Sequence, residues 1–109
     1  LLLAVTRANQ VWKLPLLLDG SVSKVGAPIV LSGGVGPDGL AIDSKGRVLV
    51  CHPGLGTVWV FDPFGEPLYR IRSPRGRMVT NCALHPDDER CMYITDSDTG
   101  SIFRAVLPD

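Results

Sequence analysis

An all-β fold of short strands and tight turns is what this sequence predicts, on three observations. The chain has 109 residues with 12 glycines and 9 prolines, well above average usage. So many breakers leave room for short elements and many turns but not for long helices. Its hydrophobic fraction of 45% is that of a globular protein, which sets disorder aside. And the apolar segments recur: three stretches share an apolar run, a short polar turn and an apolar-aromatic alternation.

The first stretch pairs residues 2–6 with 10–14, the second 48–52 with 57–61, and the third 91–96 with 101–105. Their aromatic positions, Trp12, Trp59 and Phe103, lie 47 and 44 residues apart. Leu49 and Tyr93 are likewise 44 apart. Aromatic residues returning at the repeat period read as packing between repeats, since base stacking would need flanking positive charge. A further strand precedes the second and third stretches, at 39–43 and 81–85. Each is followed by a turn rich in Asp, Gly or Pro, at 44–47 and 86–90. After the second stretch, the turn Asp62-Pro63-Phe64-Gly65-Glu66 leads into residues 67–72, which alternate apolar and polar as an exposed outer strand does. In the first repeat the matching turn is Leu18-Asp19-Gly20.

The unit is therefore four short strands in about 45 residues, the length of one blade of a β-propeller. The expected division is the end of one blade over residues 1–31, a complete blade over 36–73 and a partial blade over 79–107. Propellers close with about 4–8 blades. About two and a half are expected here, so the chain reads as part of a larger ring whose other blades are its first partners. The Gly-rich link Ser32-Gly33-Gly34-Val35-Gly36-Pro37 is not a nucleotide loop, because no Gly-Lys-Ser/Thr follows it.

Composition limits function. Eleven basic and eleven acidic residues cancel, which argues against a nucleic-acid partner. The basic run Arg70, Arg72, Arg75 and Arg77 is interrupted by Pro74 and Gly76 and reads as a solvated outer strand and loop. The opening apolar run of five residues is too short for a membrane span or a signal core, so no membrane partner is expected. Cys51, Cys82 and Cys91 make an odd count without CxxC spacing. They read as buried free thiols of a soluble protein in a reducing, cytoplasmic setting.

Gly36-Pro37-Asp38-Gly39-Leu40-Ala41-Ile42-Asp43, followed by Gly46-Arg47-Val48-Leu49-Val50, resembles the SMP-30/gluconolactonase family. The resemblance runs on through residues 52–62, 65–69, 80–81, 93–97 and 100–102. It implies the C-terminal portion of a six-bladed propeller. It also implies a metal-dependent hydrolase of the lactonase type, opening sugar or related lactones with one divalent cation, calcium or zinc. Asp38 matches the family's metal-binding Asp, which also helps activate water. The matching Glu and Asn ligands would lie in earlier blades outside this sequence, so the chain alone is expected to be inactive.

Lactone opening needs a polarised carbonyl, an activated water and stabilisation of the developing oxyanion. Carboxylate oxygens suit such a cation. Asp38 is therefore the candidate catalytic and metal-ligating residue, although Asp is also common in turns. Asn81, one repeat further on, is a candidate substrate contact through its amide. His52, expected to be partly exposed at a strand end, is a second, through proton transfer. Asp43 and Asp96 end strands and read as turn-capping residues. The alternative reading is a non-catalytic propeller of the NHL or WD kind that presents a binding surface.

Overall fold

A computed structural model describes residues 1–108. It contains ten strands: β1 (Leu2–Val5), β2 (Gln10–Lys13), β3 (Gly26–Val30), β4 (Leu40–Ile42), β5 (Val48–His52), β6 (Thr57–Phe61), β7 (Pro67–Arg72), β8 (Val79–His85), β9 (Asp88–Asp96) and β10 (Ser101–Val106). Among the described residues there is no α-helix, only the 3₁₀ turn Thr6–Ala8, and none is long and apolar enough to cross a membrane. The strands form three sheets in chain order: β1-β2-β3, β4-β5-β6-β7 and β8-β9-β10. Every pairing is antiparallel between sequence neighbours. This is the all-β propeller architecture expected from the repeat.

The core lies between sheets, and β5 shows why. All five of its residues are buried. Side chains alternate across a strand. Val48 and Val50 therefore pack with Val11 and Ile29 of the first sheet, and Leu49 and Cys51 pack with Val79, Met92 and Ile94 of the third. β6 repeats the pattern, with Val58 and Val60 toward the third sheet and Phe61 toward the first. Trp59 and Phe103 are half-buried against these two clusters, whereas Trp12 joins neither and bonds Gln10 Oε1 at 2.9 Å.

Two elements differ from expectation. β3 carries Gly26 and Pro28, which mask a strand by composition; it survives as an edge strand because such a position leaves some N–H groups unneeded. The expected turn at 86–90 is tighter, because His85 pairs with Asp88 and leaves only Pro86 and Asp87 as the loop. Between β2 and β3 the chain makes an outward excursion over residues 14–25. It is pinned by the Leu16–Val22 bridge and carries the fully exposed Leu18 at its tip.

Candidate functional site

In the four-stranded sheet the start of β4, the end of β5, the start of β6 and the end of β7 share one end. The loop before β4 carries Asp38 to that end. Pro37 is buried, while Asp38 is exposed. The Asp38 N–H donates to the Cys51 carbonyl at 2.9 Å, and the Gly39 carbonyl accepts from Cys51 N–H at 2.9 Å. The Gly39 N–H donates to the Thr80 carbonyl on β8 at 2.8 Å. The backbone beside Asp38 is thus held by two sheets at once. Upstream, Gly36 has φ +115° and lies directly on the Thr6 backbone, a place and conformation closed to other residues. Thr6 Oγ1 donates to the Pro37 carbonyl at 2.8 Å. The carboxylate itself has no hydrogen-bond or ion-pair partner among the described residues.

Asn81, on β8, comes beside this loop. Gly39 approaches it so closely that a methyl group there would meet Asn81 Oδ1 and the Thr80 carbonyl. Asn81 Oδ1 accepts the N–H of Cys82 at 3.0 Å, a local bond that turns the amide and leaves its Nδ2 without a partner among the described residues. The structure therefore brings Asp38 and Asn81 together at one mouth.

His52 is placed differently. The expected partly exposed histidine is in fact fully buried, at 0% exposure. Trp59 Nε1, which can only donate, bonds His52 Nδ1 at 3.1 Å. His52 Nε2 therefore carries the proton and donates to the Gly33 carbonyl at 2.9 Å. Burial holds its pKa below the ordinary value, outweighing the bond to Gly33. A neutral ring with both nitrogens in use ties the Gly33–Gly34 loop to the sheet, and no lone pair or proton is left for a substrate.

The other strand-end acids do local work. Asp43 Oδ1 accepts the N–H groups of Lys45 and Arg47, each at 2.9 Å, and its Oδ2 meets Arg47 Nε at 2.6 Å. Burial pushes the Asp43 carboxyl up, but the Arg47 bonds outweigh it and hold the pKa below the ordinary value. Asp96, 2% exposed, accepts from Asp98 N–H and Thr99 Oγ1. The three cysteines are buried and free. Cys51 and Cys82 lie in one buried cluster between the sheets, and the neighbouring Cys82 thiol together with burial pushes the Cys51 thiol up.

A cation at this mouth would find one suitable oxygen ligand in Asp38. Among the described residues no group of three His, Cys, Asp or Glu side chains is placed to hold a metal ion. The donor chemistry fits a hard divalent cation, but these residues supply only part of its shell.

Three antiparallel sheets of three, four and three strands in chain order, with a carboxylate presented by a Gly-Pro-Asp-Gly loop at one end, define a portion of a β-propeller. Residues 1–104 match the SMP-30/Gluconolactonase/LRE-like region, and the chain belongs to that family. It is 34% identical over 107 residues to a lactonase, drp35, of Staphylococcus saprophyticus, a match covering 88% of this chain and 33% of that protein. Among solved structures, it superposes on regucalcin, a calcium-binding protein from Agrobacterium tumefaciens, with a TM-score of 0.77 and 25% identity, covering 94% of this chain and 40% of that one. A gluconolactonase from Xanthomonas campestris shares the fold with a TM-score of 0.73 at 24% identity, covering 91% and 30% of the two chains. The chain spans about a third of the length of the curated relatives it matches.

Proposed function

We propose that this chain contributes one side of a lactone-hydrolysing site, with Asp38 as a ligand of a divalent cation and Asn81 as a substrate contact. The reading is supported by one observation above all: an unpartnered, exposed carboxylate whose backbone is locked to two sheets, with an amide from the next sheet alongside. Such rigidity under an exposed oxygen is what a ligand or general base requires. The family membership and the lactonase relatives point the same way.

When bound, the cation supplies Lewis-acid polarisation of the lactone carbonyl. Asp38 would accept the proton of the attacking water and return it to the ring oxygen as the acyl C–O bond breaks. Asn81 Nδ2 donates to a substrate oxygen and orients the ring. The Gly33–Gly36 loop, fastened by His52 and Thr6, keeps the mouth in place. The remaining ligands would come from residues outside this sequence, in the other blades of the ring. The blades within this sequence are read as 1–31, 36–73 and 79–107, and the setting as cytoplasmic, in keeping with three free thiols.

The test is Asp38→Ala in the whole protein, assayed on an aldonolactone with calcium or zinc. Loss of kcat/KM by about 10²-fold or more, with unchanged circular dichroism, is expected for a group acting on the reacting atoms. Undiminished hydrolysis would overturn the assignment.

A further inference from the structure

The basic run does not spread over the surface as its interruptions led one to expect. Arg70 and Arg72 stand two residues apart on β7 and so share one face. Pro74 and Gly76 then fold the chain back, and Arg75 and Arg77 come round to line the same open cleft, of about 370 Å³. The turn between β5 and β6 forms the opposite wall. Its Gly54 and Gly56 both donate backbone N–H bonds to the Arg77 carbonyl, at 2.8 and 2.9 Å. The backbone that carries the arginines is therefore fixed.

The charged residues that line this cleft are all arginines. No carboxylate lines it. Arg72, Arg75 and Arg77 have no ion-pair partner among the described residues. Two carboxylates back the loop from beneath: Asp98 Oδ2 takes the Arg77 backbone N–H at 3.2 Å, and the buried Asp96 packs against Gly76. Arg70 is oriented in advance: its guanidinium lies 4.9 Å above the Trp59 ring and its Nη2 reaches Thr57 Oγ1 at 3.5 Å. Arginines lining one cleft repel one another, and an anion held between them relieves that repulsion.

We propose that this cleft is a binding site for the phosphate group of a small molecule. Guanidinium forks match phosphate oxygens two at a time, and several forks around one cleft suit a dianion with three free oxygens better than a single carboxylate. The volume suits a phosphate ester of about sugar size. A compact cleft, rather than a stripe along the surface, does not track a nucleic-acid backbone. The site lies at the same end of the sheet as Asp38 but beyond β6 and β7, roughly 10–15 Å away by strand spacing. It does not depend on the lactonase reading.

The experiment is calorimetric titration of the whole protein with inorganic phosphate, with EDTA present so that no metal site contributes. Saturable binding at millimolar phosphate is expected. It should weaken as NaCl is raised from about 50 mM to about 300 mM. The double variant Arg75→Ser/Arg77→Ser should bind about tenfold or more weakly, while Arg7→Ser, an exposed arginine elsewhere, should bind as the parent does. Arg72→Gln serves as a second variant if the double variant melts early. A hexose phosphate should displace inorganic phosphate. No saturable binding by the parent, equal binding by the double variant, or displacement by an oligonucleotide but not by a hexose phosphate would each overturn the proposal.

Discussion

Gly39 is the residue on which the candidate mouth turns. Asp38 is singled out in the sequence by the family resemblance of the stretch 36–43, and Asn81 by lying one repeat further on. What pressed the two together was not legible, because it is a backbone contact between sheets. A side chain at Gly39 must displace Asn81. Gly39→Ala is therefore expected to destabilise the protein by about 1–3 kcal/mol in urea unfolding and to lower lactone hydrolysis more than stability alone explains. His52, expected to be partly exposed, is buried for a related reason. Its burial comes from the Gly33–Gly34 loop folding over it, and nothing local announces that loop's path. The buried ring has another consequence. With a folded pKa below its ordinary value of 6.5, the native state binds fewer protons than the unfolded chain as pH falls. The stability that neutral His52 contributes is present above about 6.5 and declines as pH drops below it. Thermal melts at about pH 7.5 and about pH 5.5 should differ less in His52→Gln, whose amide can both accept from Trp59 and donate to Gly33 without titrating.

At the level of elements, strands with regular alternation were readable and those with breakers were not. β5 and β6 stand where the apolar runs put them. β3 is hidden in the sequence because Gly26 and Pro28 carry no strand signal, and the Pro86-Asp87 hairpin is tighter than its charged, loop-like flanks suggest. β5 also shows what a strand buried on both faces means for energetics. Leu49 is 1% exposed, in the cluster that joins the second and third sheets. Leu49→Ala should cost about 2–5 kcal/mol in chemical denaturation, whereas Leu68→Ala, on the outer strand and exposed, should cost little.

For the molecule as a whole, the repeat period carried the architecture and the order of its sheets, because it reports packing that recurs. The arginine cleft escaped, since a strand and a loop separated by Pro74 contribute to it equally. Apolar side chains remain uncovered on the terminal sheets, with Leu1 67% and Ile102 73% exposed, near the edge strands β1 and β10. Open strand edges with apolar neighbours invite pairing between copies. The 109-residue chain produced alone should therefore associate with rising concentration in sedimentation velocity and hydrolyse no lactone. A cooperative, monomeric melt with normal turnover would contradict this.

The excursion over residues 14–25 gives the polypeptide an opening that the sheets do not need. Its tip at Leu18 touches little, and the strands on either side, β2 and β3, are joined through their own register from Gln10–Val30 to Lys13–Gly26. The order of sheets is therefore indifferent to whether the peptide is continuous there. A guest domain spliced into that arm would leave Asp38 and Asn81 undisturbed at the far mouth.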